Sequence, residues 1–305
     1  MLENRVILRL MRHAAAVVAM GAGLALSMGD VLAAGPALAP AAVTLQPGAP
    51  QSPALAEAMP LAAHRAAYRV SLFQSKGTKS PTNANGRVSY EFSGSPCEGY
   101  TQSFRQITEL QPAEGATRLS DMHSATFEDG EAHSFAFNVT NSTDNGGASV
   151  IDGHALKQAT ALAIQISKPS RETIDVDQQV LFPTEHLKHI IAAARAGQKL
   201  FGAKVFDGSD DGKKVYDTMA IIGRPIEALA DDHGVNAAIL SSVQRWPVSI
   251  SYFEEDKKDE GPAYILGFEL YENGISRALR FDYGDFILAG ELTALDLLPA
   301  KSCSK

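Results

Sequence analysis

The chain of 305 residues carries 27 basic and 35 acidic side chains, which gives a formal charge of −8 at pH 7. This excess of acid argues against a protein that binds nucleic acid mainly through phosphate contacts, because the phosphates would be repelled. It also argues against adsorption on anionic lipid headgroups, and it says nothing specific about a neutral or apolar ligand.

Residues 1–33 have the three parts of an export signal: a positive start, an apolar run at 14–26, and small residues before Ala33. The positive residues are Arg5, Arg9 and Arg12. The apolar run is shorter than the ~20 residues that span a bilayer comfortably. We therefore expect cleavage near Ala33 and a mature protein in the periplasm that does not span the membrane. An uncleaved N-terminal anchor is the alternative.

The next segment, residues 34–60, is rich in Ala and Pro and contains almost no charge. Its six prolines forbid a long helix, because proline lacks a backbone N–H and clashes with the preceding turn. This composition predicts a disordered or semi-extended tether. The remainder, residues 61–305, is expected to form a single domain.

The two cysteines of the chain, Cys97 and Cys303, indicate a disulfide. An even number of cysteines in an exported protein favours a bond because the periplasm is oxidising. Closing a loop of about 200 residues would contribute ~5 kcal/mol in the chain-entropy model. Two unrelated buried thiols are the alternative interpretation.

From Leu61 onwards, apolar residues recur at every second position, which is the pattern of strands with one dry and one wet face. The pattern is found at residues 68–72, 88–92, 135–139, 162–166, 248–252, 264–270, 279–283 and 286–292. Asn273-Gly274 is a preferred two-residue hairpin turn, and Gly284-Asp285 is a further turn. Many short strands of this kind predict a mainly β fold, namely an antiparallel barrel, a sandwich or a related curled sheet.

One main helix is predicted at about 184–196. Thr184 is the expected N-cap, Glu185 lies in the first turn, and Gly197 follows the end. One face carries an apolar stripe, formed by Leu187, Ile190, Ile191 and Ala194. This stripe must be buried, and the concavity of a curled sheet is the obvious place. Residues 237–243 are a further candidate helix.

Two segments resemble metal-binding motifs without matching them. His186 and His189 are spaced i, i+3 rather than i, i+4, and Glu185 precedes the pair, so we interpret them as a solvated helix face. Residues 207–212 resemble the first half of a calcium loop, but the twelfth position is Thr218 where a bidentate Glu is needed. A β-turn between two strands is the preferred interpretation. No metal or cofactor is predicted.

The sequence contains neither a Gly-x-Ser-x-Gly nucleophile motif nor a Gly-rich phosphate loop. Asp152-Gly153-His154 and Asp231-Asp232-His233 place acids beside histidine, and we interpret both as polar turns. The prediction is therefore a protein that is not an enzyme. Because catalytic triads are recognised by geometry, a periplasmic hydrolase that uses His154, His186 or His233 is the alternative.

Seven segments in one order resemble the EipB-type cell envelope integrity proteins of α-proteobacteria. They are LAAHRAAYRVSL, GRVSYEFSGSPCEGYTQSFR, the stretch ending in Phe127-Glu128-Asp129-Gly130, LFPTEHLKHIIAAARAG, FDGSDDGKKVYDT, WPVSISYF and FELYENGISRALRFDYGDFILAGELTALDLLP. Phe127 stands where we expect Trp, which keeps an aromatic ring at that position. The resemblance covers the chain from Leu61 to Cys303.

This resemblance implies a periplasmic β-spiral, an open curled antiparallel sheet similar in shape to the Lol lipoprotein carriers. It implies a bond between Cys97 and Cys303 and a role in envelope integrity, and it carries no established catalytic residues.

A curled sheet of this kind leaves a concavity that could accept an unidentified lipid, lipoprotein segment or envelope protein. The candidate groove-lining residues are Leu187, Ile190, Ile191, Trp246, Tyr252 and Phe268. The aromatic ones among them are expected to be core, because aromatic strand residues usually are. A purely structural subunit of an envelope complex is a further alternative.

Overall fold

The computed structural model describes residues 60–77, 80–144, 146–227, 237–255, 261–301 and 303. The predicted signal peptide, the tether apart from Pro60, and the triplet Asp231-Asp232-His233 lie outside these residues.

The described residues form strands and two helices, all connected in chain order. The strands are β1 (His64–Ser75), β2 (Asn83–Ser95), β3 (Gly99–Gln111), β4 (Arg118–Glu128), β5 (Ser134–Thr143), β6 (Gly146–Lys157), β7 (Leu162–Lys168), β8 (Glu172–Val176), β9 (Leu200–Val205), β10 (Tyr216–Ile222), β11 (Arg245–Glu254), β12 (Tyr264–Tyr271), β13 (Ser276–Asp282) and β14 (Phe286–Leu297). The helices are α1 (Pro183–Arg195) and α2 (Ala237–Leu240). Neither helix is long and apolar enough to cross a membrane.

All the strands belong to one 14-stranded antiparallel sheet in the order β8-β7-β6-β5-β4-β3-β2-β1-β14-β13-β12-β11-β10-β9. The pairing of β1 with β14 joins the two halves of the chain, with His64 opposite Leu297 and Ser75 opposite Phe286. The sheet is not closed, because β8 and β9 are its two edges. It is curled nevertheless, since Gly208 after β9 lies against Phe137 of β5. The predicted mainly β fold with one main helix is confirmed.

The dry faces of the strands enclose the core. Tyr68 and Val70 of β1 alternate with exposed Arg69, which is the burial pattern that the sequence predicted. The larger core cluster combines the concave faces of both halves of the sheet with the apolar stripe of α1. A second, smaller cluster contains Phe135 and Phe182, whose rings stack at 5.2 Å. Fully burying a Phe or Leu side chain contributes about 2 kcal/mol.

Helix α1 begins one residue before the predicted boundary, and its N-cap is Phe182 rather than Thr184. Pro183 occupies the first helical position, where its missing N–H is not needed. The Glu185 carboxylate accepts the Phe182 N–H at 3.1 Å, while the Thr184 hydroxyl accepts a side-chain bond from Gln102 instead. The prediction of Thr184 as the cap is therefore wrong, because a neighbouring strand engages its oxygen.

One predicted turn is a strand. Asp152-Gly153-His154 lies inside β6, paired with both β5 and β7. Alternation is weak there because most of β6 is exposed or half-buried, so no apolar period marks it in the sequence. Gly153 is required by a close approach, since a Cβ there would lie 2.8 Å from the Phe137 ring.

The disulfide is confirmed. Cys97, in the turn between β2 and β3, is bonded to Cys303 in the tail beyond β14, with their Cα atoms 5.6 Å apart. Lys301 of the tail also forms an ion pair of 2.8 Å with Glu98 beside the bridge. The tail is thereby fixed at the end of the sheet where β2 turns into β3.

Candidate functional site: the helix-filled concave face

The concave face of the sheet is occupied by α1. Between Leu187 of the helix and Tyr68, Val88 and Leu279 of the strands, the remaining cavity has a volume of about 20 Å³. That is room for about one water molecule. With α1 in place, this part of the concavity does not hold an acyl chain or a peptide.

The six predicted groove-lining residues all lie in the larger core cluster. Only Leu187 of this set lines the small cavity beneath α1. The side chains of Trp246 and Tyr252 are almost completely buried, and Phe268 is buried as well. These aromatic residues therefore fill the core, which was the preferred interpretation of the sequence.

The N-terminus of α1 is held by a buried carboxylate from the sheet. Glu128, the last residue of β4, accepts the backbone N–H groups of Thr184 at 2.6 Å and Glu185 at 2.7 Å. A negative charge at this position is favoured by the helix dipole and by the unpaired N–H groups of the first turn. Burial opposes that effect and raises the pKa of Glu128 to about 7. The carboxyl group thus anchors α1 and is itself poorly solvated.

A series of hydrogen-bonded polar side chains continues from Glu128 to β2. The Gln102 amide donates to the Thr184 hydroxyl at 3.1 Å, and the Tyr90 hydroxyl donates to the Gln102 carbonyl at 3.0 Å. Both strand residues lie on the opposite half of the sheet from β9. The first turn of α1 is therefore tied to β2, β3 and β4 through hydrogen bonds.

Two lysines flank the same end of α1. The Lys188 ammonium lies 4.2 Å from the centre of the Tyr100 ring, and burial lowers its pKa. The Lys157 ammonium of β6 contacts the Glu185 carboxylate at 2.5 Å and lies 4.6 Å from the Phe182 ring centre. Cation–π contacts of this kind contribute roughly 0.5–2 kcal/mol, more when desolvated.

His186 is not on a solvated helix face, so that interpretation of the sequence is wrong. Its side chain is completely buried, and neither ring nitrogen has a hydrogen-bond partner in the part of the chain that the structure describes. Its ring stacks on Phe201 of β9 with centroids 5.9 Å apart, and His189 stacks on the same ring at 5.8 Å. Burial holds the pKa of His186 well below its usual range, and the neighbouring His189 lowers it further.

The calcium-like segment is a turn between β9 and β10, as the preferred interpretation predicted. Its acidic side chains point to different partners. Asp207 is buried and accepts the Ser209 N–H at 2.9 Å, whereas Asp210 forms an ion pair with Lys214 at 2.6 Å. Among the described residues, no group of three or more His, Cys, Asp or Glu side chains is arranged to hold a metal ion.

A serine, a histidine and an aspartate do lie together on the outer face of β3 and β4. Ser103 Oγ is 3.4 Å from His123 Nε2, which is a long hydrogen bond for a nucleophile and its base. Asp121 is engaged by Arg105 through two bonds of 3.0 and 2.7 Å. The carboxylate is therefore directed to the guanidinium.

The histidines proposed for a hydrolase are not brought together in the described residues. His154 is exposed on β6, His186 is buried in α1, and His233 lies outside the described residues. The groups that do converge, Glu128 above all, were missed by sequence reasoning. The only signal was the Phe-Glu-Asp-Gly stretch of the family resemblance, since nothing local distinguishes Glu128 from a surface acid.

Comparison with known proteins agrees with the architecture. The model of the EipB-like family matches residues 55–299. The cell envelope integrity protein EipB of Brucella abortus (strain 2308) is 36% identical over 243 residues, which are 79% of this chain and 86% of that protein. A crystal structure of a β-barrel-like protein of a domain of unknown function from Brucella abortus matches with a TM-score of 0.74 and 35% identity. The match covers 79% of this chain and all of that one. The chain belongs to the EipB-like family.

Proposed function

We propose that this protein supports the integrity of the cell envelope from the periplasm and does so by binding rather than by catalysis. The observation that carries the proposal is the match to a cell envelope integrity protein over most of both chains. The disulfide between Cys97 and Cys303 supports a location in an oxidising compartment.

The contacts of the ionisable groups favour binding over catalysis. Glu128 accepts hydrogen bonds from the backbone of α1, Lys157 pairs with Glu185, and Asp121 pairs with Arg105. A partner is free to contact the outer surface of the sheet directly. A ligand that enters the concavity between Leu187 and the facing strands requires α1 to move first, because the cavity there has a volume of about 20 Å³.

Complementation tests the envelope role. In a strain that lacks its own copy of the gene, the full chain should restore growth on detergent, whereas a chain without residues 1–33 should not. Equal rescue by the chain without residues 1–33 would refute the periplasmic site of action. The hydrolase alternative is tested on the same strains with Ser103→Ala and His154→Ala, which should rescue as fully as the unmodified chain. Loss of rescue by either variant at normal protein levels would favour an enzyme.

A further inference from the structure

We propose that α1 is a lid that opens about a hinge along the edge strand β9. Its opening exposes a groove for an amphipathic helix of a partner protein. This inference rests on the proposed binding function and specifies its site. It follows from how α1 is attached, how it is held closed, and what its closed state buries.

Both ends of α1 are attached to β9. Before the helix, Leu181 donates its N–H to Lys204 at 2.8 Å and accepts the Phe206 N–H at 3.1 Å. After the helix, exposed Gly197 with φ of 70° leads within three residues into Leu200, where β9 begins. A helix of 13 residues is about 20 Å long, close to the length of a six-residue strand. The two attachment points therefore define a hinge axis parallel to β9.

The first turn of α1 is held closed by polar contacts to the other half of the sheet. Glu128 of β4 binds two backbone N–H groups, Gln102 of β3 binds Thr184, and Lys157 of β6 binds Glu185. These closing contacts lie on the half of the sheet opposite β9. The ion pair of 3.0 Å between Arg195 at the other end of α1 and Glu272, which follows β12, must break as well. Breaking the closing contacts leaves the strand pairing intact, because none of them is part of a β ladder.

The closed state carries unfavourable burial that opening relieves. The Lys188 ammonium is partly desolvated, and both nitrogens of His186 lack a hydrogen-bond partner among the described residues. Buried polar groups of this kind destabilise the state that buries them. Opening returns them to water, so it requires less free energy than removing an all-apolar helix from the same seat. Elements of this type open locally below the global unfolding free energy.

The seat of α1 defines the kind of ligand that replaces it. The groove is apolar and accepts side chains at i, i+3, i+4 and i+7 of a helix, which in α1 are Leu187, Ile190, Ile191 and Ala194. Such a stripe is how amphipathic helices are recognised in grooves. The groove also orients its ligand, because Glu128 lies where the first N–H groups of a helix need an acceptor. We therefore assign an amphipathic helix as the occupant.

Native-state hydrogen exchange on the mature protein tests the opening of α1. The α1 amides should exchange at least tenfold faster than those of β2 and β3, which pair in the centre of the sheet. The Glu128→Ala variant removes the acceptor of two N–H groups and should accelerate exchange in α1 by about a further tenfold. The matched control is Glu91→Ala, whose carboxylate pairs with Arg65 on the outer face. It should leave α1 unchanged.

The groove is tested with a fluorescent peptide of residues 182–197, which carries the α1 stripe in trans. Its apparent affinity should rise in Glu185→Gln by the same factor as the α1 exchange rate of that variant, because both report the open fraction. This substitution weakens the ion pair between α1 and Lys157 and leaves Glu128 and the peptide unchanged. If the α1 amides of the unmodified protein exchange at the same rate as those of β2 and β3, the proposed opening of α1 is wrong. Faster α1 exchange without peptide binding, or displacement of the peptide by a fatty acid alone, overturns the helical ligand. Either failure leaves the complementation result untouched, since a partner on the outer surface does not need α1 to move.

Discussion

At the scale of single residues, Glu128 gives the fold an unusual pH dependence. Its pKa is raised from an ordinary value of 4.5 to about 7, mainly by burial. The folded state therefore binds an extra proton between these values, so the stabilisation is complete below pH 4.5 and lost as the pH rises through about 7. The loss amounts to roughly 3 kcal/mol for a shift of this size.

We expect the Tm of Glu128→Gln to rise relative to that of the unmodified protein between pH 5 and pH 8, because the variant lacks the carboxyl group that loses its proton in this range. Thermal unfolding monitored by circular dichroism at three pH values measures the difference. The control is Glu91→Gln, whose carboxylate is exposed enough that its curve should parallel that of the unmodified protein. Identical slopes in Glu128→Gln and the unmodified protein would contradict the role of this carboxyl.

His186 gives the stability of the fold a pH dependence of the opposite sign. Because burial lowers its pKa in the fold, protonation favours the unfolded state, and stability is lost as the pH falls below 6.5. In His186→Phe the ring can still stack on Phe201, and two buried nitrogens without partners are removed. We expect about 1 kcal/mol of added stability at neutral pH and less sensitivity to acid.

Urea unfolding of His186→Phe at pH 7.5 and pH 5 measures both effects. Exposed His154 on β6 provides the control, since His154→Phe should change neither the midpoint nor its pH dependence. A His186→Phe variant that is less stable at both pH values would show that the ring nitrogens are satisfied in solution.

At the scale of elements, the parts that could be predicted are those whose one-sided burial imposes a period on the local sequence. The alternation of Tyr68, Val70 and Leu72 identifies β1, and the stripe of Leu187 and Ile190 identifies α1, because burial on one face imposes a period. The clamp on α1 could not be predicted in this way. Glu128 is 56 residues from Thr184, and only the curl of the sheet brings them together.

Exposure explains why part of β6 has the sequence of a turn. In β6 both faces are largely accessible, so neither face selects apolar residues and His154 stands between Gly153 and Ala155 without a recognisable pattern. His186 was assigned to solvent for the converse reason, since a histidine on the buried side of a helix looks polar in the sequence. Periodicity thus predicts one-sided elements and fails for two-sided ones and for buried polar groups.

The turn between β9 and β10 is the element that connects the two ends of the curl. Gly208 has φ of 70°, and a Cβ added there would overlap the Phe137 ring of β5. Gly208→Ala should therefore destabilise the fold by about 2–4 kcal/mol through backbone strain and overpacking. The control is Gly147→Ala in β6, where a Cβ would meet nothing within 4 Å. Urea midpoints compare the two, and equal values would mean that this contact does not form in solution.

At the scale of the whole molecule, the sheet order explains what the disulfide does. β1 lies between β2 and β14, so the turn after β2 and the tail after β14 are already near each other when the ladder forms. The bond between Cys97 and Cys303 therefore adds little new proximity to the folded state. It closes a loop of 206 residues in the unfolded chain, where the chain-entropy model gives a stabilisation of ~5 kcal/mol at most.

We therefore expect Cys97→Ser to lower the Tm of the mature domain by several degrees or more, without changing the far-ultraviolet circular dichroism of the folded state. Reductant should lower the Tm of the unmodified protein equally and have no effect on a Cys97→Ser, Cys303→Ser double variant. Because the constraint acts on the unfolded chain, hydrogen exchange of β1 in the folded state should not change in Cys97→Ser. The variant should refold more slowly only if the tail docks early in folding. An unchanged Tm under reductant would mean that the β1 ladder alone fixes the tail, and that the covalent link does not contribute to stability.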